Sequence, residues 1–177
     1  VTLGNGEKAA RRARAHAALA AILTREAGGA VVRRDGPGGK PRLASGTLEF
    51  NLSHSGEVAL IAVSTVGPVG VDVERVRDLR RPQRLAARIC SERERAVVGR
   101  EPAQLLRLWV RKEALAKAQG TGLTSVLSGI EVLDDLLPGG WRLIDLPGVP
   151  AGHVAAVAVP AAVTGCALRS FEAGGGG

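Results

Sequence analysis

The side chains equipped for chemistry fall in a few short stretches. In "VGVDVERV", Val69 to Val76, Asp72 and Glu74 sit two positions apart on what reads as a strand. Both carboxylates then leave one face, while Val69, Val71 and Val73 form an apolar face opposite. Acids are depleted in strands, and neighbouring like charges repel. Two explanations compete: an edge strand with a wet, charged face, which is the commoner case, or two acids that share a cation. In "WVRKEALAKAQGTG", Trp109, Glu113 and Lys117 recur at i, i+4 spacing along one helix face. The plain reading packs Trp109 in the core and pairs Glu113 with Lys117 for a few tenths of a kcal/mol. The sharper reading notes that acid and base on the core-facing side imply partly buried charge, which needs a partner or a metal.

"NLSHSG" reads as a tight turn from Ser53 to Gly56 leading into a strand. Its Ser and Asn side chains either satisfy local backbone groups, or Ser53 and His54 donate to a phosphate. "GGKP" sets Lys40 on a glycine-rich loop, where it is solvated or makes another phosphate contact. Neither a P-loop nor a dinucleotide fingerprint is present, because neither glycine spacing occurs. Taken together, carboxylates able to hold a hard cation against substrate phosphates, with Lys117 and His54 to neutralise phosphoryl charge, suit Mg²⁺-assisted phosphoryl transfer.

These residues need elements to position them. "GEKAARRARAHAALAAILTREAG" predicts an amphipathic helix with a basic first half, apolar at Ala18, Leu19, Ile22 and Leu23. A loop-rich stretch follows, then strands over Val58 to Ser64 and over "GPVGVDVE". Helices are expected over Pro82 to Ile89, after a capping signal at Ser91, and from about Pro102 to Gln119, stopped by "GTG". "SGIEVLDD", "GWRLIDL" and "HVAAVAVP" read as three short strands. The order helix, strands, helix, strands predicts an α+β fold. Its expected division is an N-terminal half over 1–66, a C-terminal half over 67–172 carrying the metal site, and a flexible tail over 173–177.

Bulk composition narrows the function. The 177 residues are 45% hydrophobic and 23% charged, which is a globular balance. A formal charge of +7 favours anionic partners. Aromatics are only 2%, too few to build base-stacking platforms, so nucleic acid is not the expected partner. Two cysteines, Cys90 and Cys166, form neither a disulfide framework nor a zinc motif, which predicts a cytoplasmic protein. Neither a secretory signal nor a membrane-spanning stretch is apparent. Of 24 basic residues only Lys8, Lys40, Lys112 and Lys117 are lysine, and three of those four lie in the motifs.

"NLSHSG", "GVDVE" and "WVRKEALAKAQGTG", in that order, resemble the signature motifs of 4′-phosphopantetheinyl transferases of the Sfp type. "GGKP" and "CSERE" resemble further family positions, and the resemblance covers roughly Gly39 to Pro160. It implies two pseudo-symmetric α/β halves with coenzyme A between them, acting as a monomer with no membrane partner. The implied reaction moves the phosphopantetheine arm of coenzyme A to a serine of an apo acyl or peptidyl carrier protein, releasing 3′,5′-ADP. Such carriers serve fatty acid, polyketide or nonribosomal peptide biosynthesis. By the same resemblance Asp72, Glu74 and Glu113 hold Mg²⁺, and Glu113 takes the serine proton. Lys117 stabilises the leaving 3′,5′-ADP, Ser53 and His54 contact a phosphate, and Lys40 reaches the nucleotide end. Arg11, Arg12 or Arg14 meet the 3′-phosphate, while Glu94 is a family acid of open role. The N-terminus is short for the family. The competing expectation is a basic, non-catalytic binding module for nucleic acid or acidic proteins.

Overall fold

Helix α1, Asn5–Glu26, opens the fold and buries Leu19 and Leu23 against Phe50, with Val31, Leu43, Leu48, Leu52 and Ile61 packed around them. This is a computed structural model, and it describes residues 5–36, 40–98, 101–121 and 129–171. Strands β1, Arg33–Asp35, and β2, Pro41–Leu43, pair antiparallel. Strands β3, Glu49–Ser55, and β4, Val58–Ser64, form an antiparallel hairpin. The expected turn at Ser53 to Gly56 is therefore shorter than its sequence suggests. Ser53, His54 and Ser55 all belong to β3, opposite Leu60, Ala59 and Val58, and the chain reverses over Gly56 and Glu57. Gly56 has a φ of 61°, the left-handed conformation that a two-residue hairpin loop requires.

Strand β5, Gly70–Arg75, begins a second region. Three helices follow: α2, Pro82–Ile89; α3, Glu92–Val98; and α4, Pro102–Gln119. The Ser91 signal is real. Ser91 Oγ accepts from the Glu94 amide at 3.2 Å, and Glu94 Oε2 accepts from the Ser91 amide at 2.8 Å, a reciprocal capping box. Strands β6, Leu136–Leu137, β7, Trp141–Asp145, and β8, His153–Pro160, complete an antiparallel sheet ordered β5-β8-β7-β6. The molecule is thus a mixed α/β protein with antiparallel sheets.

Helix α4 lies across β5 and β8 and is the centre of the main core, where Leu105, Leu108, Val110, Ala114, Leu115 and Ala118 meet Ala156 and Ala158. Its approach to β5 depends on Gly70. A Cβ there would fall 2.0 Å from the Ala114 carbonyl oxygen and 2.4 Å from the Ala118 nitrogen, so any side chain would push helix and strand apart. The helix ends at Gly120, whose φ of 70° lets its amide close on Ala116 and Lys117 carbonyls. Gly122, the other glycine of the expected stop, lies outside the described residues, as do 37–39 of the glycine-rich loop and 173–177 of the tail.

"SGIEVLDD" is not a strand over its described part. Buried side chains satisfy its backbone instead of a ladder. Glu94 Oε1 accepts from the Val132 amide at 2.8 Å, and Arg111 donates to the Val132 and Asp134 carbonyls at 2.7 and 2.8 Å. Lys112 donates to the Ile130 carbonyl. Val132 is buried there, and the next strand, β6, begins later, at Leu136.

Candidate functional site

Strand β5 is an edge strand of its sheet, so half of its backbone groups have no strand partner. Side chains close that edge. Asn51 Oδ1 accepts from the Val71 amide at 2.9 Å and Ser55 Oγ from the Arg75 amide at 3.0 Å. The Val69 carbonyl accepts from Lys40 at 2.9 Å and the Val71 carbonyl from Lys117 at 3.1 Å. Val69, Val71 and Val73 are buried as the alternation predicts. The acid face is not a wet one, because Asp72 is only 6% exposed and looks toward α4.

There the motifs converge. Ser53 Oγ donates to Asp72 Oδ1 at 2.6 Å, and Lys117 Nζ donates to the same oxygen at 2.6 Å and to Ser53 Oγ at 3.1 Å. Lys117 therefore reaches across to Asp72 as its ion-pair partner, and the simple helix pair with Glu113 is not what the fold builds. Ser55 Oγ donates to Glu74 Oε2 at 3.1 Å, and Arg77 pairs with that oxygen at 2.9 Å. Two carboxylate oxygens, Asp72 Oδ2 and Glu113 Oε1, are buried without a hydrogen-bond partner. Burial first, then the negative charges of Asp72 and Glu74, push the Glu113 carboxyl up to about 7, against the opposing pull of Lys117. Burial likewise raises Asp72 despite Lys117 and the Ser53 hydroxyl.

This donor set fits a hard divalent cation in kind: orphaned carboxylate oxygens under mutual repulsion gain most from one. Among the described residues, however, three or more ligating side chains are nowhere gathered closely enough to hold an ion as they stand. Asp72 Oδ1 is turned to Lys117, and Glu74 is turned to Arg77.

The other face of β3 builds a second feature. Phe50, Leu52 and His54 point away from the Ser53 face toward α1, where Lys8, Arg12 and His16 follow at i, i+4 spacing. With Arg33 and Asn51 they line a cleft of about 320 Å³. Burial first, then the nearby Arg12, Arg33 and His54, lower the pKa of His16. Ser53 and His54, adjacent in sequence, are thus divided between the acid cluster and the basic cleft. Of the three arginines expected near an anion, Arg12 lines the cleft, Arg14 is exposed away from it, and Arg11 pairs with Glu57 at 2.5 Å. Lys8, His16 and Arg33 were not expected, although the 8, 12, 16 spacing on one helix face was there to be read.

Lys40 is neither exposed nor solvated. It is 7% exposed, bonded to the Val69 carbonyl and, at 3.4 Å, to the Ala118 carbonyl, with Glu49 at 3.9 Å. It ties the region before β2 to β5 and to the end of α4. Glu94 also has a place: it pairs with Lys112 at 2.8 Å, both side chains fully buried.

Comparison with known proteins bears on the family. Residues 68–147, from the turn before β5 into β7, match the family profile of the 4′-phosphopantetheinyl transferase superfamily. Two of the three motifs, GVDVE and WVRKEALAKAQGTG, lie inside that match, so the resemblance to the superfamily is borne out there. Among similar proteins is the 4′-phosphopantetheinyl transferase AcpT of Salmonella typhi, 37% identical over 109 residues, 58% of this chain and 55% of that protein. The 4′-phosphopantetheinyl transferase HetI of Nostoc sp. is 37% identical over 138 residues, 68% of this chain and 57% of that protein. A putative 4′-phosphopantetheinyl transferase of Synechocystis sp. is 34% identical over 54% of this chain and 42% of that protein. The chain spans about half the length of the relatives it matches.

Proposed function

We propose that the protein transfers the 4′-phosphopantetheine arm of coenzyme A to a serine of an apo acyl or peptidyl carrier protein. The observation that carries this reading is the convergence of Ser53, Asp72, Glu113 and Lys117, from separate motifs, on one buried cluster with two partnerless carboxylate oxygens. Mg²⁺ is the expected metal, with Asp72, Glu74 and Glu113 as its holders; when bound it supplies charge neutralisation at the coenzyme A pyrophosphate. Glu113, whose Oε1 has no hydrogen-bond partner, accepts the proton of the carrier serine. The serine oxygen forms its bond to the β-phosphorus as the bond to 3′,5′-ADP breaks. Lys117, an ammonium beside this cluster, offsets charge on the leaving group.

The basic cleft of Lys8, Arg12, His16, Arg33 and His54 suits the phosphates of the nucleotide end. Ser53 and Lys40 fit a supporting role better than direct phosphate contact, since both are buried on protein partners. The Sfp-type architecture of two pseudo-symmetric halves, 1–66 and 67–172, is part of the same reading. So are a monomer, a cytoplasmic setting, and the absence of nucleic-acid or membrane partners. Among the described residues no helix is long and apolar enough to cross a membrane.

The test is an intact-mass assay with Mg²⁺, coenzyme A and a panel of apo carriers from primary and secondary metabolism. A gain of one phosphopantetheine per carrier is expected, lost in Asp72→Asn and on chelation. No gain on any carrier with folded protein, alongside salt-sensitive binding to polyanions, would instead establish a basic binding module.

A further inference from the structure

Strands β3 and β5 belong to different sheets, yet from Asn51 onward every second side chain of β3 bonds to β5. Asn51 takes the Val71 amide, Ser53 takes the Asp72 carboxylate, and Ser55 takes the Glu74 carboxylate, at 2.9, 2.6 and 3.1 Å. Each serine hydroxyl has one proton to give and lone pairs to accept with. Lys117 Nζ, which can only donate, sits 3.1 Å from Ser53 Oγ, and the Arg75 amide, likewise only a donor, sits 3.0 Å from Ser55 Oγ. With N–H donors on the lone-pair side, the single proton of each serine is committed to its carboxylate. The 2.6 Å contact from Ser53 is the length of a charge-assisted hydrogen bond.

We infer that Ser53 and Ser55 are positioning residues for the two β5 carboxylates: each hydroxyl fixes one oxygen of its acid, and Asp72 Oδ2 is left without a hydrogen-bond partner. This rests on the proposed cation role of Asp72 and Glu74, and it reassigns the serines of "NLSHS" away from phosphate. It also explains the spacing. Serines two apart on β3 match acids two apart on β5, whereas His54 between them must face the basic cleft. Asn51, which bonds backbone and not a carboxylate, is the built-in structural comparator.

The experiment titrates Mg²⁺ into the full chain, without coenzyme A or carrier, and follows the melting temperature; melting in excess chelator reports the fold alone. Ser53→Ala should raise the Mg²⁺ concentration at half-maximal shift by on the order of 10-fold, and Ser55→Ala by about 3-fold to 10-fold. Ser55→Thr, which keeps the hydroxyl, should stay within about 2-fold. Asn51→Ala should lower the melting temperature in chelator yet leave the Mg²⁺ midpoint in place. Unchanged midpoints in both serine-to-alanine variants, with weaker coenzyme A binding, would overturn the inference and return the serines to phosphate contact. A wild-type chain with no Mg²⁺-dependent shift would overturn it as well. Mg²⁺ binding with the expected variant order, but no arm transferred to any carrier, would sink the proposed reaction and leave the positioning role standing.

Discussion

Helix α4 carries two lysines little more than a turn apart, and each meets an acid from another element. Lys112 and Glu94 are both fully buried, 2.8 Å apart. The Glu94 oxygens also accept from the Ser91 and Val132 amides, and Lys112 donates to the Ile130 carbonyl, so the pair is closed on all sides. Lys117 and Asp72 are closer, at 2.6 Å, yet Lys117 keeps 28% of its side chain exposed, Asp72 Oδ2 has no partner, and Glu113 waits beside them with another orphaned oxygen. Completeness separates the two. A buried pair whose every polar atom is satisfied holds elements together, while one left short of partners stands ready for a ligand that supplies them.

That contrast can be broken most forcefully at the closed pair. Glu94→Gln removes the buried charge that Lys112 answers at 2.8 Å, and should cost about 3–5 kcal/mol in chemical denaturation. At the open cluster the sign reverses. The folded-state pKa of Glu113, about 7, lies above its ordinary value of 4.5. Its protonated form therefore favours the fold below the ordinary value, and that contribution is lost as pH rises through about 7. Glu113→Gln should then be more stable than the wild type by about 1–3 kcal/mol at pH 8, with the gap closing toward pH 5. A gap that is flat with pH would show that Glu113 is not held in its protonated form. The smallest effect is expected for Asp72→Asn, within about 1 kcal/mol of wild type in the same denaturation, because the part-exposed Lys117 can turn to water. A loss as large as that of Glu94→Gln would erase the distinction between the pairs.

Local signals were legible where local physics decides. The capping box at Ser91, the span of α4 and the valine-acid alternation of β5 all follow from periodicity and end chemistry, and all are present. "NLSHSG" misled because serine, asparagine and glycine favour turns, while here hydroxyls were needed on a strand to bond another strand's acids. "SGIEVLDD" misled because its backbone partners are Glu94, Arg111 and Lys112, far away in sequence. Lys40 looked solvated beside glycines, yet the carbonyls of Val69 and Ala118 draw it inside.

By itself the sequence determined which residue types bear the chemistry, their motifs, and the family they resemble, since residue identity and short-range spacing are its own content. Only the tertiary structure decided that Lys117 answers Asp72 and not Glu113, that Ser53 and His54 serve opposite faces of one strand, and that Glu94 belongs to the scaffold. Those outcomes depend on which carboxylates remain short of partners once burial has removed water, and that is settled between elements distant in the chain.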